Sequence, residues 1–178
     1  MFFSKKPPPP ERPAPDPTPS RGFVFIRKAL LVVDGSPLPS KTTTFALNFA
    51  LQSGCELLAT YIVDTATLDY LQQLHIVVQD ERDELEQDLT KKGRCYLDGV
   101  VEQCRAAGVT VSTQLCSGRF HQAILHIARE QQVDIIIIGG WKNDIRQKDT
   151  TSVERQLFMD LAECPVIVVK SKPEPASN

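Results

Sequence analysis

The chain has 178 residues, is 42% hydrophobic and 24% charged, and carries a formal net charge of −2. That length suits one domain with a hydrophobic core plus a tail. The near-neutral charge gives no electrostatic footprint for nucleic acid, and no apolar run reaches the length of a membrane span or forms a signal-peptide core. The expectation is a soluble, cytoplasmic protein that binds neither nucleic acid nor membrane.

Residues 1–22 read as a flexible tail. Prolines at positions 7–10, 13, 15, 17 and 19 remove backbone donors and hold the segment extended. Its repeated P-x-x-P spacing suits the aromatic groove of an unidentified protein partner, although a semi-rigid spacer is the favoured reading. Phe2 and Phe3, followed by Lys5 and Lys6, make a segment too short to anchor a membrane alone.

The folded domain is expected over residues 23–171. Residues 28–34 (KALLVVD) form a short apolar strand that ends in Asp34-Gly35-Ser36. Ser40 is placed to cap a helix running to Ser53, with Phe45, Ala46, Phe49 and Ala50 as its apolar stripe and Gly54 as its stop. Residues 55–63 (CELLATYIV) give the second strand and so a right-handed βαβ unit. Residues 65–78 are either an irregular loop or a short helix. Residues 79–107 predict a long helix with Leu85, Leu89, Leu97, Val100, Val101 and Cys104 buried, and with a break permitted at Gly93 or Gly99. Its acidic run, residues 80–88, reads as solvated surface rather than a metal site, since Arg82 faces Glu86 and Asp88 faces Lys92 at helical spacing.

Gly108 closes that helix. Val109, Val111, Thr113 and Leu115 alternate along a third strand, and a helix with Phe120, Ala123, Ile124, Ile127 and Ala128 on its apolar face follows. Residues 134–139 end in four isoleucines and Gly139, the pattern of a strand covered on both faces. A polar loop, a helix over residues 151–162 and a last strand over residues 165–170 complete the domain. Residues 172–178 form a short polar tail. Strands and helices alternate throughout, which predicts a doubly wound α/β sheet.

The common catalytic signatures are missing from the sequence: G-x-x-x-x-G-K-[ST], G-x-G-x-x-G after strand one, H-E-x-x-H and G-x-S-x-G. Strand one offers Asp34 alone where a phosphorylated receiver domain needs several carboxylates. His121 and His126 share a helix five residues apart and are assigned to its surface. The five cysteines are widely spaced, which argues for buried structural thiols rather than disulfides or zinc ligation.

Four stretches in order resemble the universal stress protein family: Asp34-Gly35-Ser36 after strand one, YIVD at the end of strand two, SGRFHQAILHIAREQQVDIIIIGG, and SVERQLFMDLAECPVIVV. The match covers about residues 26–171. It implies a Rossmann- or flavodoxin-like five-stranded parallel sheet, ordered 3-2-1-4-5 and dimeric. One branch of the family binds ATP through G-x-x-G-x9-G-[ST] after strand four. The resemblance makes Gly140, next to Gly139, the first glycine of that motif, whereas Asn143 takes the second position. Ser152-Val153 or Thr151-Ser152 takes the last Gly-Ser/Thr pair. It also brings Asp34, with Gly35 and Ser36, towards the nucleoside of ATP or AMP and the backbone near Ile62 towards the base.

One glycine of three in the expected loop argues for a degraded site. Glycines there allow positive φ and a close approach of backbone N–H groups to phosphate. Forcing another residue into that conformation costs ~1–2 kcal/mol, about tenfold in affinity per position. Thr151-x-x-Glu154 is then read as a capping box, and Asp34 as the cap of its own turn. Val166, Ile167, Val168 and Val169 would form an apolar edge strand. Either a two-fold partner covers it, the arrangement the resemblance implies, or a tail or residues 64–78 do. The expected function is a non-enzymatic regulatory or accessory protein of stress response. A weak ATP- or AMP-binding protein with slow turnover and an adaptor working through the Pro-rich tail are the alternatives.

Overall fold

The computed structural model describes residues 26–33, 35–139 and 150–170, with the backbone alone for 150–155. The elements run β1 (Lys28–Val33), α1 (Lys41–Ser53), β2 (Glu56–Asp64), α2 (Thr65–Gln73), α3 (Gln79–Ala107), β3 (Val111–Gly118), α4 (Phe120–Glu130), β4 (Ile135–Gly139), α5 (Thr150–Leu161) and β5 (Val166–Val169). The strands make one parallel sheet in the order β3-β2-β1-β4-β5. The expected doubly wound architecture is therefore the one observed, with the order reversing between β1 and β4.

Alternation along the central strands sorts the core into two layers. Ala29, Leu31 and Val33 of β1, with Ile135 and Ile137 of β4, face α1 and α3 through Ala46, Ala50, Leu97, Val100 and Cys104. Leu30, Val32, Ile136 and Ile138 face α4 and α5, where Ile124, Ile127 and Phe158 close the second layer. Both faces of β4 are thus dry, which is why its sequence is an unbroken apolar run. Each fully buried side chain of this size contributes about 1.5–3 kcal/mol.

The helix ends follow local chemistry. Ser40 Oγ accepts a hydrogen bond from the Thr43 N–H at 3.1 Å, and Gly54 and Gly108 close α1 and α3 in left-handed conformation, a backbone glycine adopts without a Cβ penalty. At the opposite end of the sheet from the β1–α1 turn, Asp134 Oδ2 accepts from the backbone N–H groups of Arg27 and Lys28 at 2.7 and 3.0 Å. Those bonds, to Lys28 first and then Arg27, hold its carboxyl below the usual range. Asp134 precedes β4 and fixes the start of β1.

Several expectations change. Residues 65–73 are helical, and α2 packs on α3 and β3, so they do not cover β5 at the other edge. The long helix is continuous through both glycines. A Cβ at Gly93 would collide with the Tyr61 ring, and one at Gly99 would lie 2.5 Å from Leu38 Cδ1. Close packing places those glycines, and it outweighs their low helix propensity. Leu85 is exposed rather than buried, because the first half of α3 stands clear of the sheet. Phe45 is also exposed, while Thr42, Thr43, Ala46 and Ala50 face inward; small residues let α1 approach the sheet closely. His121 is buried against expectation, whereas His126 lies on the surface as expected, 3.4 Å from Glu130. Arg82 pairs with Glu86 as expected, at 2.7 Å, but Asp88 pairs with Lys91. All five cysteines are free. Burial pushes the Cys104, Cys116 and Cys164 thiols up, as befits packing residues, whereas Cys95 is exposed.

Candidate functional site

In a parallel sheet all carboxyl ends share one edge, and ligands bind where the strand order reverses. Here the crevice lies between β1 and β4. Gly35 follows β1 at φ 72, and its half-buried neighbour Ser36 leads the chain towards α1. Gly139 ends β4, paired with Val169 of β5, and α5 starts at Thr150 before running back along the sheet. Ile62 lies near the end of β2, half-buried on the α4 and α5 face and paired with Cys116. Gly35, Ser36, Ile62, Gly139 and the start of α5 are thus brought to the same edge. Asp34, Gly140 and Asn143 fall outside the described residues, as do the side chains of Thr151, Ser152 and Val153 and with them the expected capping box.

Behind the β1–α1 turn lies a feature the sequence did not advertise. Tyr61 of β2 and Tyr96 of α3 stack with ring centroids 6.0 Å apart and 21° between planes. A Cβ at Gly35 would sit 3.5 Å from Tyr96 and 3.7 Å from Tyr61, which is ordinary contact. Backbone conformation, not lack of space, therefore requires glycine there. Burial, and then Tyr96, pushes the Tyr61 phenol up, so it stays a neutral hydrogen-bond donor at physiological pH. Alternation along β2 was a usable signal for Tyr61. Nothing local flagged Tyr96, whose partner lies on another element.

Asp64, the last residue of YIVD, caps α2: its carboxylate accepts from the Thr67 N–H at 3.3 Å and the Thr67 hydroxyl at 2.8 Å. That carboxylate is occupied by a structural task. Among the described residues, no group of three or more His, Cys, Asp or Glu side chains converges on a metal-sized site, and no helix is long and apolar enough to cross a membrane. A cavity of about 220 Å³ between α4, β4 and the α5–β5 connection lies at the far edge of the sheet, lined by Val133, Ile136 and Cys164 among others. It is not part of this crevice.

The four residues of β5 are half-buried. Val166 and Val168 pack towards α4 and α5, and Ile167 and Val169 towards α1. One side of the strand pairs with β4, and among the described strands β5 is the last in the sheet.

The model of the universal stress protein family matches residues 26–170. Universal stress protein YxiE of Bacillus subtilis is 26% identical over 149 residues, covering 82% of this chain and all of that one. A crystal structure of a universal stress family protein from Burkholderia pseudomallei superposes with a TM-score of 0.65 at 19% identity, over 83% of this chain and 98% of the other. An Arabidopsis thaliana family protein solved with AMP bound gives a TM-score of 0.54 at 17% identity, over 85% and 97% of the two chains.

Proposed function

The chain belongs to the universal stress protein family, and from that premise we propose that it serves as a cytoplasmic regulatory or accessory protein of stress response, with a weakened adenine-nucleotide site and no catalytic turnover. The observation that carries this reading is the sequence Gly140-Trp141-Lys142-Asn143 after β4. It keeps one of the three glycines through which one branch of the family is expected to hold phosphate. The β1–α1 side supports residual binding, since Gly35 keeps its left-handed turn at φ 72 on the same edge of the sheet as the start of α5, where helix N–H groups and the dipole favour an anion. Two positions at about tenfold each weaken binding by roughly a hundredfold.

A second reading, an AMP- or ATP-binding regulator with slow hydrolysis, is favoured by the AMP-bound Arabidopsis relative. Calorimetric titration with ATP and AMP separates the two. The first reading expects a Kd weaker than about 10 μM and no ADP on prolonged incubation with ATP. Tighter binding, lost in Asp34→Ala, would establish the second reading instead.

The apolar β5 supports a homodimer in which two copies of the strand meet across a two-fold axis, removing an exposed edge. Sedimentation tests this: Ile167→Lys should shift a dimer to monomer, and a wild-type monomer at micromolar concentration would refute it.

A further inference from the structure

The α2–α3 hairpin stands beyond the sheet. Gly93 packs against Tyr61, which pairs with Val33 at the carboxyl end of β1. Residues 79–92 of α3 therefore extend about 20 Å past the end of β1 at ~1.5 Å per residue, and beyond the ends of β2 and β3, which run on to Asp64 and Gly118. Between the helices the chain turns through His75, a non-glycine residue at φ 57, a conformation that side chains seldom adopt outside functional or tightly constrained turns. Around that turn Tyr70, Leu74, Ile76 and Val78 are 56%, 49%, 63% and 63% exposed. A hairpin tip in water favours polar residues, and four large apolar ones grouped here mark a contact surface.

The charge beside it narrows the occupant. The first turns of α3 carry Asp80, Glu81, Asp83 and Glu84 around a single cation, Arg82. That guanidinium is already engaged by Asp69 and Glu86, each at 2.7 Å. An apolar patch with excess negative charge on one flank suits a short segment of apolar side chains followed by basic ones. Residues 2–6 of this chain, Phe2-Phe3-Ser4-Lys5-Lys6, have that order.

We propose that residues 2–6 dock on the α2–α3 tip of their own chain, Phe2 and Phe3 covering Leu74, Ile76 and Val78 while Lys5 and Lys6 face the α3 carboxylates. The reach is sufficient. From Ile26, at the amino end of β1, the path up the strand and the hairpin is about 40 Å, and the chain from Phe3 to Ile26, about 23 steps of at most ~3.1 Å for Pro-rich sequence, can reach about 70 Å. Tethering raises the local concentration of the segment to about millimolar, so a weak contact is populated. The Pro-rich stretch is then a spacer.

The test uses the full chain with Phe3 replaced by the photo-crosslinker p-benzoylphenylalanine, in an equal mixture of isotope-labelled and unlabelled protein. Crosslinks are expected within one chain to residues 70–82. Their yield should fall about fivefold in Leu74→Asp/Ile76→Asp and about threefold in 1 M salt, where the Debye length is ~3 Å. Hydrogen exchange gives an independent readout that leaves the folded domain unaltered: amides 74–80 should exchange about threefold faster in Phe2→Ser/Phe3→Ser than in wild type. Crosslinks between labelled and unlabelled chains, which mean a second copy, would overturn the proposal. So would crosslinks elsewhere, crosslinks formed only with another protein, or exchange rates indifferent to the phenylalanines.

Discussion

The connections that follow β1 and β4, at the carboxyl edge of the sheet, differ in sequence. The β1–α1 turn keeps its glycine, Gly35, in left-handed backbone, braced by the stacked Tyr61 and Tyr96. The β4–α5 connection keeps Gly140 and places Asn143 and the Thr151-Ser152-Val153 run where further glycines are expected. Strand geometry constrains neither turn directly: β1 and β4 are buried side by side with matched register. On the proposed reading, a sheet holds the architecture of a nucleotide site while the loops that read phosphate drift. Fold and ligand affinity are separable properties.

The strongest way to break this contrast is to restore the second turn. Asn143→Gly with Thr151→Gly should tighten AMP and ATP binding by up to about a hundredfold, read by calorimetry, while Ser152 keeps a hydroxyl at the helix start. No tightening would show that backbone conformation in that loop does not limit affinity. Damaging the first turn comes next. Gly35→Ala meets only ordinary contacts but must hold positive φ, so it should cost about 1–2 kcal/mol in stability or roughly tenfold in binding.

Gly93→Ala acts on the same turn at one remove. The new methyl collides with the Tyr61 ring, which Tyr96 keeps from moving aside. Overpacking costs about 1–3 kcal/mol against a gain of about 1 kcal/mol in helix propensity, so destabilisation wins by about 1 kcal/mol. Urea denaturation should show it, and a more stable variant would mean that the ring yields freely.

Asp134→Asn is the control, far from both turns. Backbone hydrogen bonds lower the Asp134 carboxyl in the folded chain. Its stabilising contribution is therefore full above the ordinary carboxylate pKa of about 3.9 and fades as pH falls through the lower folded value. The variant should lose up to about 1 kcal/mol at neutral pH, show a shallower decline in acid, and bind nucleotide unchanged.

Much of this molecule was legible from local chemistry. Ser40, Gly54 and Gly108 marked helix ends because caps are satisfied within a few residues, and the four isoleucines marked a strand covered on both sides. Contacts distant in sequence were not legible. Gly93 and Gly99 read as weak points in α3 because Tyr61 and Leu38, which pack against them, lie 32 and 61 residues away in the chain. Phe45 reads as core by hydrophobicity, yet the threonines and alanines of α1 turn inward because the helix lies close to the sheet. His121 reads as surface by type and is buried by its place on α4. In the candidate site, Gly35 and Gly139 stood out as turn and strand-end residues. The tyrosine brace did not, since stacking joins β2 to α3.

Trp141, the chain's one tryptophan, lies in the β4–α5 connection, so its emission reports on the loop that the account holds responsible for weak binding. Titrating the wild-type protein with AMP while following that emission tests the central claim most directly. Half-saturation is expected above about 10 μM, moving to lower concentration in the glycine-restored variant. Saturation of the wild-type protein below that concentration, unchanged by the restored glycines, would contradict it.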